Sequence, residues 1–114
     1  MKKDFVPKAG DLILLNFNPA SGHEQQGYRP ALVISPKEYN QKTGLAVMCP
    51  LTSQIKGYPF EVLLPGGCDL EGAVLCDQIK NLSWKARGAK LAGHVPLPVL
   101  NEVKNLLRMF LDLG

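Results

Sequence analysis

Apolar residues along this chain come in short, almost uninterrupted runs. Residues 11–17 read DLILLNF, 29–35 RPALVIS, 45–51 LAVMCPL, 60–64 FEVLL and 73–76 AVLC; 91–95 (LAGHV) is a weaker run. Each is bounded by Gly, Pro or polar residues, and each is too short for a good helix. The pattern predicts strands. Because the runs do not alternate strictly, it predicts strands covered on both faces, as in a small barrel. Pro30 sits near a strand start, where a missing N–H is tolerated, and Pro50 is expected to end regular pairing in the third run. One segment has a helical period. Val99, Leu100, Val103, Leu106, Leu107 and Phe110 share a face, with Asn101, Glu102, Lys104, Asn105 and Arg108 around the rest. Pro98 suits the first turn of this helix. A shorter helical turn is expected over 36–41. Residues 19–28, 52–59 and 77–90 read as loops. The fold class is therefore mainly β with a C-terminal α-helix, a small barrel or half-open sheet capped by residues 99–110.

Length and charge narrow the field. The 114 residues suit a single domain over 1–114. No apolar run is long enough for a membrane-spanning helix. Met1, Lys2 and Lys3 precede Asp4, Pro7, Lys8, Gly10 and Asp11 rather than an apolar stretch, so a cytoplasmic protein is expected. Three cysteines, Cys49, Cys68 and Cys76, show no C-x-x-C spacing. Cys49 and Cys76 lie inside apolar runs and read as small core residues, not metal ligands or disulfide partners. A net charge of +3 is a weak pointer to an anionic partner, and its placement says more.

Three polar segments carry the candidate chemistry. Gly22–Arg29 (GHEQQGYR) gathers an imidazole, a carboxylate, two amides, a phenol and a guanidinium. It reads either as a solvated hairpin loop or as a site where Arg29, at a loop–strand junction, is aimed at an anion. Thr52 and Ser53 follow an apolar strand. They can cap backbone groups or donate hydrogen bonds to phosphate oxygens, with Lys56 close by. Residues 78–90 (QIKNLSWKARGAK) hold Lys80, Lys85, Arg87 and Lys90, no acid, and the only Trp. That is a solvated basic face, or a basic patch with an aromatic platform for unpaired bases. Trp84 reads equally well as a core residue. His23 and His94 are far apart in sequence, and nothing in the spacing brings them together. His94 reads as structural.

No P-loop, H-E-x-x-H or G-x-S-x-G pattern is present, nor a carboxylate cluster for a two-metal nuclease. No metal or other cofactor is expected. Nucleic-acid chemistry on such residues points to RNA, whose 2′-OH supplies an internal nucleophile that DNA lacks.

Four blocks make the chain resemble a known family. They are G-D-L-I at Gly10–Ile13, G-x-E-Q-x-G-x-R-P-A-L-V-I-S-P at Gly22–Pro36, P-L-T-S-x-x-K-G-Y-P-F-E-V at Pro50–Val62, and C-D-Q-I-K at Cys76–Lys80 followed by W-K-A-R-G at Trp84–Gly88. Together they resemble the MazF/PemK toxins, closest to the chromosomal MazF branch, over nearly the whole chain. The resemblance implies an SH3-like small barrel of the MazF/Kid/CcdB type with a C-terminal helix, usually a homodimer. It implies the toxin of a type II toxin–antitoxin pair, an mRNA interferase. Such a protein cuts single-stranded mRNA at specific sequences without metal, leaving a 2′,3′-cyclic phosphate and a 5′-hydroxyl. Its partner would be an acidic, MazE-like antitoxin.

Carried over by position, Arg29 and Thr52 match the family's catalytic Arg and Thr. Glu24 lies in the same loop as a carboxylate that is important in MazF-like members, and Asp77 and Gln78 match a D-Q pair near the groove. The PemK-like branch has an Arg two residues before that Asp. Here the position is Leu75, so Arg29 must be the main cation. A guanidinium is a poor base, so Arg29 is assigned to charge stabilisation and Thr52 to a second hydrogen bond. Glu24 is the first candidate for proton removal, ahead of His23, Asp77 or Arg29 in an unusual protonation state. Contacts to RNA are expected from Gln25, Gln26, Tyr28, Ser53, Lys56, Tyr58, Asp77, Gln78, Lys80, Trp84 and Arg87. The competing reading is a non-catalytic CcdB-like toxin that acts on a topoisomerase through protein–protein contact.

Overall fold

The computed structural model describes residues 5–17 and 28–114. Seven strands are seen: β1 Asp11–Asn16, β2 Tyr28–Val33, β3 Leu45–Thr52, β4 Glu61–Leu63, β5 Ala73–Leu75, β6 Lys80–Ser83 and β7 Lys90–His94. Helix α1 spans Lys37–Thr43, a 3-10 turn spans Cys76–Gln78, and helix α2 spans Leu97–Phe110. The strands pair antiparallel in the order β4-β5-β3-β2-β1-β7, with β6 on β3. Among the described residues β4 and β7 do not pair, so the small-barrel class is realised as a half-open, bent sheet.

The unbroken apolar runs now have a cause. Successive side chains of a strand point to opposite faces, and here both faces are buried. Leu12, Leu32, Cys49 and Leu51 join Val62, Val74, Cys76 and the α2 residues Val99, Leu100, Val103 and Leu107 in one core. Ile13, Leu15, Ala31, Val33, Ala46 and Met48 join Trp84 in a second core on the other face. Helix α2 closes the first, with Pro98 in its first turn. Phe5, Val6 and Leu82 pack against the second.

A buried polar knot ties the second core together. The Asn40 side chain donates to the carbonyls of Pro7 (2.8 Å) and Ser35 (3.0 Å) and accepts from the Ser35 hydroxyl. Ser35 Oγ in turn accepts the Val47 N–H at 2.8 Å. Helix α1 ends at Gly44, whose φ of 73° is the left-handed cap a glycine adopts without strain.

Two expectations are corrected. Pro50 does not end β3. The strand runs on to Thr52 and changes partner there: Leu45–Met48 face β6, while Leu51 and Thr52 face β5. Proline lacks an N–H, so it falls where the ladder is being exchanged. The stretch 77–90, expected as one loop, contains β6. Its sequence KNLS is polar because, among the described residues, the strand pairs on one side only, and its first half is exposed.

Candidate nucleic-acid interface

The second core runs out at one end into a groove. The β2–β3 ladder is formed at Val33–Met48, Leu32–Cys49 and Ala31–Pro50. Two residues further along the same register, Arg29 and Thr52 fall on the face that buries Ala31 and Met48. Both line one cavity of about 430 Å³, with Phe17, Pro50, Leu51, Leu75, Gln78, Lys80, Leu82 and Arg87. Strand parity explains most of this set. Phe17 continues the face of Ile13 and Leu15, and Lys80 and Leu82 pair opposite Met48 and Ala46. The site is the open mouth of a core, where apolar side chains give way to charged ones.

Its charge is one-sided. Arg29, Lys80 and Arg87 are cationic, and no described lining residue is an acid. Among the described residues, no hydrogen bond or ion pair engages the exposed Arg29 guanidinium, so its planar fork is open to an anion. The Thr52 hydroxyl oxygen accepts the Gln54 N–H at 3.0 Å, which leaves its own proton free to donate. The capping reading and the phosphate-donor reading of this residue are therefore compatible. The lining holds no described carboxylate, imidazole or thiol, so its donor set suits an anion rather than a metal ion.

The other expected residues divide. Gln78, Lys80 and Arg87 line the groove, while Leu75 puts an apolar surface in it. Arg87 also binds the chain itself: Nη1 donates to the carbonyls of Asn16 (3.2 Å) and Phe17 (2.8 Å). Asp77 is exposed beside the groove on the 3-10 turn. Ser53, Lys56 and Tyr58 are exposed on the loop after Thr52. That loop is pinned by Glu61, whose carboxylate accepts the N–H groups of Lys56 (3.1 Å) and Gly57 (2.9 Å), a role not foreseen from the sequence. Tyr28 donates to the Gly88 carbonyl at 3.4 Å and lies under the Lys90 ammonium, 5.6 Å from ring centre. Glu24, Gln25, Gln26 and His23 lie outside the described residues.

Trp84 is a correction. It is only 6% exposed, its Nε1–H donates to the Asn40 carbonyl at 2.9 Å, and Phe5 packs edge-on against it. A ring enclosed in this way offers no face to a base. His94 is exposed and does not line the groove; its Nδ1 lies 2.9 Å from the buried Asp11 carboxylate. Burial pushes the thiol of Cys49 up to about 12, helped by Cys76 and Asp77, and that of Cys76 up to about 11, helped by Asp77 and Glu102. Both are inert core groups.

Comparison with known proteins meets this geometry. Residues 8–111 match the model of the family described as PemK-like, MazF-like toxin of type II toxin-antitoxin system. The chain belongs to that family. It is 48% identical over 104 residues to the endoribonuclease toxin MazF of Escherichia coli K12, covering 91% of this chain and 93% of that protein. It is 40% identical over 106 residues to endoribonuclease PemK of Escherichia coli, covering 90% and 80%. Among solved structures, MazF of Deinococcus radiodurans superposes with a TM-score of 0.86 at 50% identity over 96% of this chain and 99% of that one. A MazE–MazF complex from the same organism gives 0.86 at 46% identity, covering 96% and 98%. Family and fold thus agree with the resemblance in the four sequence blocks.

Proposed function

We infer that this chain is the endoribonuclease toxin of a type II toxin–antitoxin pair. It acts as one domain over residues 1–114, in the cytoplasm and as a homodimer, and cuts single-stranded mRNA without a metal ion. The observation that supports this most is the placement of Arg29 and Thr52 in one cationic groove, although they stand far apart in sequence. The curated relatives are named endoribonucleases, which favours this reading over a topoisomerase poison.

The reaction follows from the groups present. The 2′-oxygen of the RNA attacks the neighbouring phosphorus, forming the cyclic phosphate as the bond to the 5′-oxygen breaks. Negative charge grows on the non-bridging oxygens. Arg29 meets it with two parallel N–H donors and Thr52 with its O–H, an oxyanion hole for phosphorus. Glu24 takes the 2′-OH proton, and the departing 5′-oxygen takes a proton from water to become a hydroxyl. Gln78 and Lys80 hold the strand along the groove, and Ser53, Lys56 and Tyr58 contact flanking nucleotides from the pinned loop. The open cationic groove also fits an acidic segment of a MazE-like antitoxin, which would block the same surface. The exposed apolar residues Leu97, Met109, Leu111 and Leu113 support a second copy or partner packing near α2.

The test is incubation of purified protein with a long single-stranded RNA in EDTA, with new 5′ ends mapped by primer extension. Cuts at one short recurrent sequence, with 5′-hydroxyl and cyclic phosphate termini, are expected. No cutting, or cutting only when a divalent ion is restored, overturns the reading.

A further inference from the structure

Arg87 was expected to contact RNA, yet its hydrogen bonds go to the protein. The turn that carries it is rigidly founded. Trp84 anchors its start in the second core, and the Ala86 N–H is held by Ser83 Oγ at 3.0 Å. The Ala89 N–H returns to the Trp84 carbonyl at 3.1 Å. From this base Arg87 grips the end of β1 three times. Its own carbonyl accepts the Asn16 N–H at 3.0 Å, and its Nη1 donates to the carbonyls of Asn16 and Phe17. The last two residues of β1 are paired with the start of β2, Leu15 with Arg29 and Asn16 with Tyr28, and Phe17 follows directly. Phe17 lines the groove itself.

We propose that Arg87 is a positioning residue: it clamps the end of β1, and through the Leu15–Arg29 pairing it fixes the approach of the Arg29 guanidinium to the scissile phosphate, rather than holding a phosphate of its own. This rests on the endoribonuclease reading. The clamp matters at that point because β2 carries Arg29 one residue inside its end, where a strand frays most easily. A guanidinium suits the task because one nitrogen serves two successive carbonyls while the planar group stays rigid.

The two roles differ in their salt dependence. Removing a phosphate contact lowers the slope of log affinity against log salt by about 0.7 on single-stranded RNA. Removing a clamp does not, but it misplaces Arg29, and misplacement by about 1 Å costs up to about 100-fold in rate. The experiment uses RNA containing the mapped cut site, with a 2′-deoxy version for binding. Arg87→Ala is expected to lower the single-turnover rate at saturating RNA by about 10- to 100-fold while leaving the salt slope at the wild-type value. Lys80→Ala, the phosphate-contact control, should lower the slope. Arg87→Lys keeps the charge but is one bond shorter, so it should keep the slope and still lose rate; it also serves if the alanine variant fails to fold. A lowered slope in Arg87→Ala, or wild-type rate in either Arg87 variant, overturns the proposal. Wild-type protein that cuts no RNA overturns the functional reading instead.

Discussion

At the scale of single residues, the proposed mechanism gives Arg29 and Thr52 the charge that develops during the reaction, not ground-state binding. Replacing Arg29 by Ala should lower cleavage by about 10²-fold or more, with a much smaller loss of RNA affinity. Single-turnover rates and binding of a 2′-deoxy substrate separate the two. Arg29→Lys should also be poor, because an ammonium lacks the fork. The buried cysteines give a second, unrelated prediction. Their thiols ionise in the unfolded chain from about pH 9 and in the folded chain only towards 11 to 12. Protons are thus held more tightly by the folded state. Their contribution to stability is complete below pH 9 and is lost as pH rises through the folded values. Urea unfolding at neutral pH and at about pH 10 should show a steeper alkaline loss for the wild type than for Cys49→Ala.

At the scale of elements, β1, β2 and β3 are legible as apolar runs because their middles are buried on both sides, and α2 is legible because only one of its faces is. The residues that failed to announce themselves are those whose role depends on a neighbour. Strand β6 is polar and, among the described residues, pairs with β3 only, so KNLS looks like a loop. Pro50 looked like a terminator because its missing N–H is visible in sequence, whereas the exchange of β6 for β5 beside it is not. Trp84 sits in a basic stretch, and only the fold turns its ring inward. The groove was half-legible: Arg29, Thr52, Gln78 and Lys80 were expected, but Phe17 and Leu82 enter it by strand parity and cross-strand register, which no local pattern encodes. Removing Asn40 tests the polar knot at this scale. Asn40→Ala leaves the Pro7 and Ser35 carbonyls without donors, at about 1–3 kcal/mol for each orphaned group. Truncating α2 at Leu107, which is 5% exposed, should cost about 2–5 kcal/mol. Denaturant midpoints at constant m-value measure both.

For the molecule as a whole, two cores share one sheet, and the groove opens from the second while α2 seals the first. Substitutions in α2 should therefore lower stability without altering which RNA sequence is cut, and mapping cut sites for Leu107→Ala below its unfolding temperature checks this. The one-sided charge of the groove predicts a further whole-molecule property. Association with an acidic antitoxin should slow by about tenfold or more as salt rises from about 0.05 to 0.5 M, while dissociation changes less; stopped-flow mixing reads both rates.

Strand β3 carries Thr52 at its end and Leu51 beside it, and Leu51 belongs to the core that α2 covers. Synthesis runs from the amino end, so the ribosome has made every groove residue before it has made that cover. A growing chain still held in the exit tunnel lacks the helix its sheet rests on. A fragment that stops short of residue 97 is thus expected to hold every lining residue of the groove and still cleave nothing, because Leu51 beneath it has lost its cover.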